Sequence, residues 1–163
     1  MAMPSQRLAE LNLKLPSVAP PVAAYVPAVR DGGLVYTSGQ LPFVDGQLPQ
    51  LGLVGVRGGD VSPDEAKGLA RIAVLNALAA AAAVVGGIDN IERVVKLTGF
   101  VASADHGSTD ERFTGQPGVI NGASELLGEI FGEAGQHARS AVGVAALPLD
   151  APVEIELIVR VRD

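Results

Sequence analysis

The chain has no cysteine and no tryptophan, and only 4% of its 163 residues are aromatic. Without cysteine, disulfide frameworks, thiolate nucleophiles and cysteine-ligated zinc or iron–sulfur sites are excluded. The two histidines, His106 and His137, are far apart in sequence and lack the spacing of metal ligands. We therefore expect no metal and no other cofactor.

Basic side chains are also scarce, and they form no block anywhere in the chain. The formal net charge of −6 argues against a surface built for broad phosphate contact, so nucleic acid is not an expected partner. The first residues lack the basic segment and apolar core of a signal peptide. The apolar stretch 72–88 is short for a membrane span and contains Asn76, which predicts a buried helix. We expect a cytoplasmic protein with no membrane partner.

Local start, stop and periodicity signals predict one α+β domain. Residues 1–21 are expected to form a short helix and a proline-rich link, and residues 22–163 a single domain. The predicted order is ββαβαββ, a mostly antiparallel sheet with two helices on one face. The elements are strands 25–29 and 33–38, a helix from Ser62 to about residue 85, strand 91–102, helix 117–131, and strands 139–146 and 153–161.

The last strand alternates cleanly between apolar and polar residues, which indicates one face packed on the helices. If a hairpin turn pairs Ala145 with Glu154, then Arg139, Ala141 and Glu154 share the opposite face with other small residues. Small side chains there favour close approach by a partner subunit. The same pairing separates Arg139 from Glu154 by roughly 20 Å along the sheet, so a site using both charges would join two chains.

Three segments resemble signatures of the RidA (YjgF) family, also known as the endoribonuclease L-PSP family, in a longer branch. The most specific is residues 137–148, with Arg139-Ser140 and a Leu-Pro turn, followed by Val-Glu-Ile-Glu at residues 153–156. Residues 35–42 resemble a second signature, and residues 119–121 a third. The likeness extends over about residues 22–162.

The resemblance implies a homotrimer with a chorismate mutase-like fold of the Bacillus type. It also implies hydrolytic deamination of reactive enamines and imines, such as 2-aminoacrylate, to 2-keto acids and ammonia. Carried over by motif, Arg139 binds the substrate carboxylate through its planar fork. Glu154 positions or activates water for attack on the imine carbon. The other implied substrate-binding residues are Tyr25 on the pocket wall, Ser38 with its hydroxyl, Asn121 as a hydrogen-bonding group, and Ala141.

Two departures and two other functions stay open. Ala141 stands where the family often has cysteine, and Gly143 where an acidic residue is more usual. Loops 40–59 and 103–118 are longer than in compact members, which leaves the substrate open. One alternative function is a regulatory trimer that binds a carboxylate ligand without turnover; another is an endoribonuclease. Structural alternatives also remain: Arg139 or Glu154 as an ion-pair partner, Tyr25 as a strand aromatic, Ser38 as a turn hydroxyl and Asn121 as a plain helix residue.

Overall fold

The computed structural model describes residues 2–18, 20–21, 23–105 and 112–163. Part of the predicted loop 103–118, with His106, therefore lies outside the described residues. The helices and strands, in chain order, are α1 Pro4–Glu10, β1 Ala28–Asp31, β2 Leu34–Thr37, α2 Pro63–Val85, β3 Ile91–Ala102, α3 Gln116–Phe131, β4 Ala138–Val144 and β5 Val153–Val161.

Helix α2 begins and ends at strong local signals. The Ser62 side chain accepts a hydrogen bond from the Glu65 amide at 3.2 Å, and the Glu65 carboxylate accepts one from the Ser62 amide at 2.9 Å. This capping box satisfies amides that otherwise have no partner in the first turn. The helix ends at Gly86, whose φ of 82° is left-handed. Glycine adopts that conformation without the penalty that a β-carbon imposes.

The five strands form one sheet in the order β1-β2-β5-β3-β4. Every neighbouring pair is antiparallel except β3 and β4, which are parallel and are connected through α3. The ββαβαββ order and the α+β fold class are therefore confirmed. The first strand begins at Ala28, so Tyr25 precedes it.

The predicted hairpin between the last two strands is wrong. β4 pairs only with β3, and β5 lies on the other side of β3. The connection between β4 and β5 passes the end of β3, where the Ser103 amide bonds Val144 and the Ala102 amide bonds Pro152. Leu149, at φ 57°, and Asp150, at φ 59°, turn the chain in this connection. The short connection alone suggested a hairpin, but β3 lies between β4 and β5 in the sheet and keeps them apart.

This pairing changes the face on which Arg139 lies. Arg139 is opposite Leu97, which is opposite Leu157, and both leucines are buried beneath the helices. Arg139 and Ala141 therefore lie on the helix-side face, and Glu154 lies on the other, which we call the open face. The prediction that Arg139 and Ala141 share a face with Glu154 is wrong. Residues of the open face include Tyr36, Lys96, Thr98, Phe100, Ser140, Val142, Glu154, Glu156 and Ile158.

The core lies between the helix-side face and the helices α2 and α3. Eight alanines of α2 are buried there, and their small side chains bring the helix close to the sheet and to α3. By length and composition α2 could cross a membrane, but 56% of its most apolar window is buried within the fold. The prediction of a buried core helix is thus confirmed.

The N-terminal segment packs against the rest of the chain. Leu8 of α1 is buried, and Leu11 and Leu13 pack against the core. The Ser5 hydroxyl donates to the Asp89 carboxylate at 2.6 Å, and the Arg7 Nε donates to the Glu129 carbonyl at 3.1 Å. These contacts join α1 to the domain.

Gly122 of α3 faces the Lys67 carbonyl of α2, and a β-carbon at this position would collide with that backbone oxygen. We expect Gly122→Ala to lower the free energy of unfolding by about 1–3 kcal/mol, because a helix must move to admit the methyl group. Gly128 is on the same helix with open space around it. Gly128→Ala should raise stability by about 0.5–1 kcal/mol through helix propensity. Urea unfolding measures both; a Gly122 variant as stable as the Gly128 variant would contradict the close approach.

Candidate functional site

Arg139 near the start of β4 reaches the polar side of α3. Its Nη1 atom donates to the Asn121 Oδ1 at 2.8 Å and to the Ser124 Oγ at 3.2 Å. Asn121 and Ser124 are three residues apart on the helix, so they share one face. Two neutral oxygens therefore hold a part-buried guanidinium in place.

The other edge of this guanidinium has no protein acceptor among the described residues. Both hydrogens of Nη1 are used, whereas Nε and Nη2 make no hydrogen bond, and no carboxylate lies within 4.0 Å. That edge is the planar fork that pairs with both oxygens of a carboxylate. This edge is therefore free to pair with a carboxylate, and the ion-pair alternative for Arg139 has no partner within the described part of the chain.

A histidine extends this network beyond Arg139. The Ser124 Oγ lies 2.9 Å from the His137 Nε2, and the His137 Nδ1 lies 2.6 Å from the Gly135 carbonyl oxygen. Arg139, Ser124 and His137 are thus linked in one chain of hydrogen bonds.

Glu154 begins the second group, near the start of β5 on the open face. The backbone of Gly39 lies against its carboxylate, so that a β-carbon on Gly39 would overlap it. Two backbone hydrogen bonds between Gln40 and Ile155, at 2.8 and 3.0 Å, hold this loop beside the strand. No described side chain donates to the Glu154 carboxylate, and no described cation lies within 4.0 Å of it. The alternative of an arginine partner for Glu154 thus finds no support within the described residues.

Burial raises the pKa of the Glu154 carboxyl, and the like charge of Glu156 on the same face raises it further. Desolvation disfavours the ionised form, and a neighbouring carboxylate repels it. A glutamate perturbed in this way holds a proton more readily than an ordinary glutamate, which suits it to accept a proton and return it.

One further predicted site residue lies near Glu154. Ser38 is adjacent to Gly39, and its hydroxyl donates to the Val26 carbonyl at 2.7 Å. This bond joins the segment before β1 to the segment after β2, so the hydroxyl does not stabilise a turn. Tyr25 precedes Val26 and is 51% exposed. Ser38 and Glu154 form one group, and Tyr25 is next in sequence to the residue that Ser38 contacts.

The remaining residue, Ala141, is partly buried on the helix side of β4, two positions beyond Arg139. Arg139, Asn121 and Ala141 form the other group. Glu154 is opposite Phe100, and Phe100 is opposite Val142. Arg139 and Glu154 are therefore two strand spacings apart across the sheet and three residues apart along it, which separates their Cα atoms by about 14 Å. Their side chains point to opposite faces. One chain therefore does not unite the two groups.

Ser124 and His137 were not predicted as site residues. Their spacing from the predicted residues could have identified them. Ser124 is one helical turn from Asn121, and His137 is two residues before Arg139 on an extended segment, so each shares a face with a predicted site residue. His137 had been considered only as a metal ligand, and the described residues contain no group of three or more metal-binding side chains.

A sequence profile described as "YjgF/chorismate mutase-like, putative endoribonuclease" matches residues 5–160. The chain belongs to the YjgF family. The resemblance on the three sequence signatures and the chorismate mutase-like fold are thereby confirmed.

Relatives within the YjgF family cover almost the whole chain. Protein TCP17 of Trypanosoma cruzi is 39% identical over 159 residues, covering 96% of this chain and 92% of the relative. The crystal structure of Atu1372 from Agrobacterium tumefaciens, of unknown function, has 43% identity and a TM-score of 0.85, and covers 98% of this chain and 94% of that one. A putative endoribonuclease from Shewanella oneidensis has 31% identity and a TM-score of 0.87, covering 98% and 100%.

One more distant structure holds a ligand. Escherichia coli TdcF with bound serine is 25% identical to this chain, with a TM-score of 0.59, and covers 90% of this chain and 94% of that one. The TM-score is lower than for the two structures above, in line with a longer branch of the family.

The raised pKa of Glu154 predicts a specific dependence of stability on pH. Folding favours the protonated carboxyl, so the wild type loses stability as the pH rises from the ordinary value of 4.5 through the raised one. Glu154→Gln removes the charge and should make the protein more stable at pH 7, with a gain that disappears in acid. Thermal unfolding across this range measures the effect. Glu92→Gln, at an exposed glutamate of β3, is the control; an equal gain there would count against burial as the cause.

Proposed function

We propose that this protein hydrolyses small reactive imines and enamines that carry a carboxylate, giving a 2-keto acid and ammonia. The unpaired Nε–Nη2 edge of Arg139 is the observation that carries the proposal. A guanidinium held by two neutral oxygens, with no carboxylate partner among the residues that the structure describes, keeps its fork for the carboxylate of a ligand. The serine bound to TdcF, an amino acid with a carboxylate, supports the same class of ligand.

The chemistry requires little beyond orientation and a proton carrier. The imine carbon is already electrophilic, so water can attack it directly. Water forms a C–O bond as one electron pair of the C=N bond moves to nitrogen. Glu154 accepts a proton of the water and returns it to the nitrogen, which gives a carbinolamine. Glu154 then takes the hydroxyl proton and passes it to the nitrogen as the C=O bond forms and the C–N bond breaks, so that ammonia leaves and the keto acid remains. An enamine first gains a proton at its terminal carbon and loses one from nitrogen, which makes it the imine. The raised pKa of Glu154 suits both halves of this transfer.

We further propose that the active site is completed between subunits of a homotrimer. Arg139 and Glu154 lie on opposite faces of the sheet in one chain, so a site that uses both requires a second copy. The open face supports this assembly because it exposes Tyr36 and Val142, each 43% accessible, and no described helix packs over it. A closed ring of three gives every subunit the same contact. We place this trimer in the cytoplasm.

Two other functions predict different outcomes in the same assay. A ligand-binding trimer would capture the carboxylate at Arg139 without turnover, so keto-acid release would not rise above the rate in water. An endoribonuclease, the activity in the family description, would cleave RNA at a rate sensitive to its acid–base groups. The proton-accepting environment of Glu154 favours turnover over binding alone.

Arg139→Ala should lower kcat/KM at least about 100-fold for imines generated from serine by a dehydratase, because a bidentate charged contact is lost. Arg139→Lys should recover only part of the activity, since an ammonium lacks the fork. The coupled assay follows keto-acid formation.

Arg71→Ala provides the matched control for this prediction. Arg71 pairs with Glu129 between the two helices, at 3.0 Å, so its loss removes an arginine and an ion pair away from the site. This variant should keep wild-type activity. Full activity in Arg139→Ala would overturn the proposed function, and RNA cleavage without imine hydrolysis would replace it.

A further inference from the structure

We infer that Ser124 and His137 are positioning residues that fix the orientation of the Arg139 guanidinium for its carboxylate ligand. The inference rests on the proposed function, because it assigns the means by which that anchor is held. The three side chains form a continuous chain of hydrogen bonds, with separations of 3.2 Å from Arg139 to Ser124 and 2.9 Å from Ser124 to His137.

The Gly135 carbonyl determines which atoms donate and which accept in this series of hydrogen bonds. A carbonyl oxygen only accepts hydrogen bonds, so the contact of 2.6 Å requires a proton on the His137 Nδ1. With its proton on Nδ1, a neutral His137 imidazole has Nε2 as a hydrogen-bond acceptor. Ser124 has one proton and donates it to Nε2. The lone pairs of its Oγ therefore point to Arg139 and accept from Nη1.

The position of Gly135 is itself determined by packing. Gly135 is buried, and a β-carbon there would collide with the Leu127 carbonyl of α3. The carbonyl that orients the imidazole is thus held by the end of the same helix that carries Asn121 and Ser124. Helix, turn and strand together hold one guanidinium.

This arrangement has a consequence for ligand binding. An arginine side chain has several rotatable bonds, and ordering it on binding lowers affinity. With both Nη1 hydrogens bonded to Asn121 and Ser124, the plane of the guanidinium is fixed before a ligand arrives, and Nε and Nη2 face away from α3. Without Ser124, only Asn121 would restrain the guanidinium. Without His137, the Ser124 hydroxyl would be free to rotate.

The first test reads the proton on His137 without any assay of activity. His106→Gln leaves His137 as the single imidazole of the chain. Nitrogen-15 NMR of the neutral ring should show the proton on Nδ1. Ser124→Ala should change the Nε2 resonance, because that atom loses its donor. A proton on Nε2 in the wild type would overturn the inference.

The second test measures binding of pyruvate, a 2-keto acid, by NMR titration. Ser124→Ala and His137→Phe should each weaken binding about tenfold, in line with the loss of one hydrogen bond to a charged group. Because Ser124 and His137 act through one series of hydrogen bonds, the double variant should bind about as weakly as either single variant. Ser124→Thr keeps the hydroxyl and should restore binding. His137→Gln retains an acceptor for Ser124 and should bind better than His137→Phe, which also covers a failure of the Phe variant to fold.

The outcomes separate this inference from the proposed function. If Arg139→Ala loses pyruvate while Ser124→Ala and His137→Phe bind it like the wild type, the anchor stands and the positioning role is wrong. Additive losses in the double variant would also contradict it. If Arg139→Ala binds pyruvate as the wild type does, the proposed function fails and the positioning role fails with it.

Discussion

The parallel pairing of β4 with β3 is the constraint on which the candidate site depends. It turns Arg139 towards α3, where Asn121 and Ser124 supply neutral acceptors for its Nη1 atom. A β4 paired with β5 would have turned the same side chain to the open face, where no helix could hold it. The same constraint separates Arg139 from Glu154, because β5 presents that glutamate on the other side of the sheet. Under the proposed function, each chain therefore carries two incomplete halves of a site.

Each half has a charge for which the described part of the chain supplies no oppositely charged partner. Arg139 keeps one edge of its guanidinium free, and Glu154 is half-buried with neither a donor nor a cation among the described residues. An unpaired charge in a partly desolvated place costs stability, so a protein retains one there when a ligand or a reaction uses it. In the proposed reaction the two halves are complementary: one would bind an anion, and the other would accept a proton. A small carboxylate-bearing electrophile is the kind of ligand that needs both.

Local sequence signals predicted the helices and strands well, but they did not predict which strands pair in the sheet. Ser62, Glu65 and Gly86 mark the ends of α2 because caps act within one turn, and alternation located β5 because burial of a strand face has a period of two. The pairing of β4 could not be read in this way. A short connection such as residues 145–152 fits a hairpin as well as a path past a third strand, and only the position of β3 between β4 and β5 decides between them. Arg139 and Asn121 were identified by family resemblance, whereas Ser124 and His137 acquire their role from contacts between α3, a buried turn and β4.

The proposal that one active site takes Arg139 and Glu154 from two different chains is tested most directly by the activity of mixed oligomers. Arg139→Ala and Glu154→Gln chains, unfolded together and reassembled, should regain up to about a quarter of wild-type activity, the share of interfaces in a random trimer that combine both intact residues. A mixture of Arg139→Ala and Asn121→Ala should regain none, because both changes fall in the same half-site. Recovery in the first mixture only is the result that the account predicts. No recovery in verified mixed trimers would contradict it, since Arg139 and Glu154 would then have to serve the reaction from one chain.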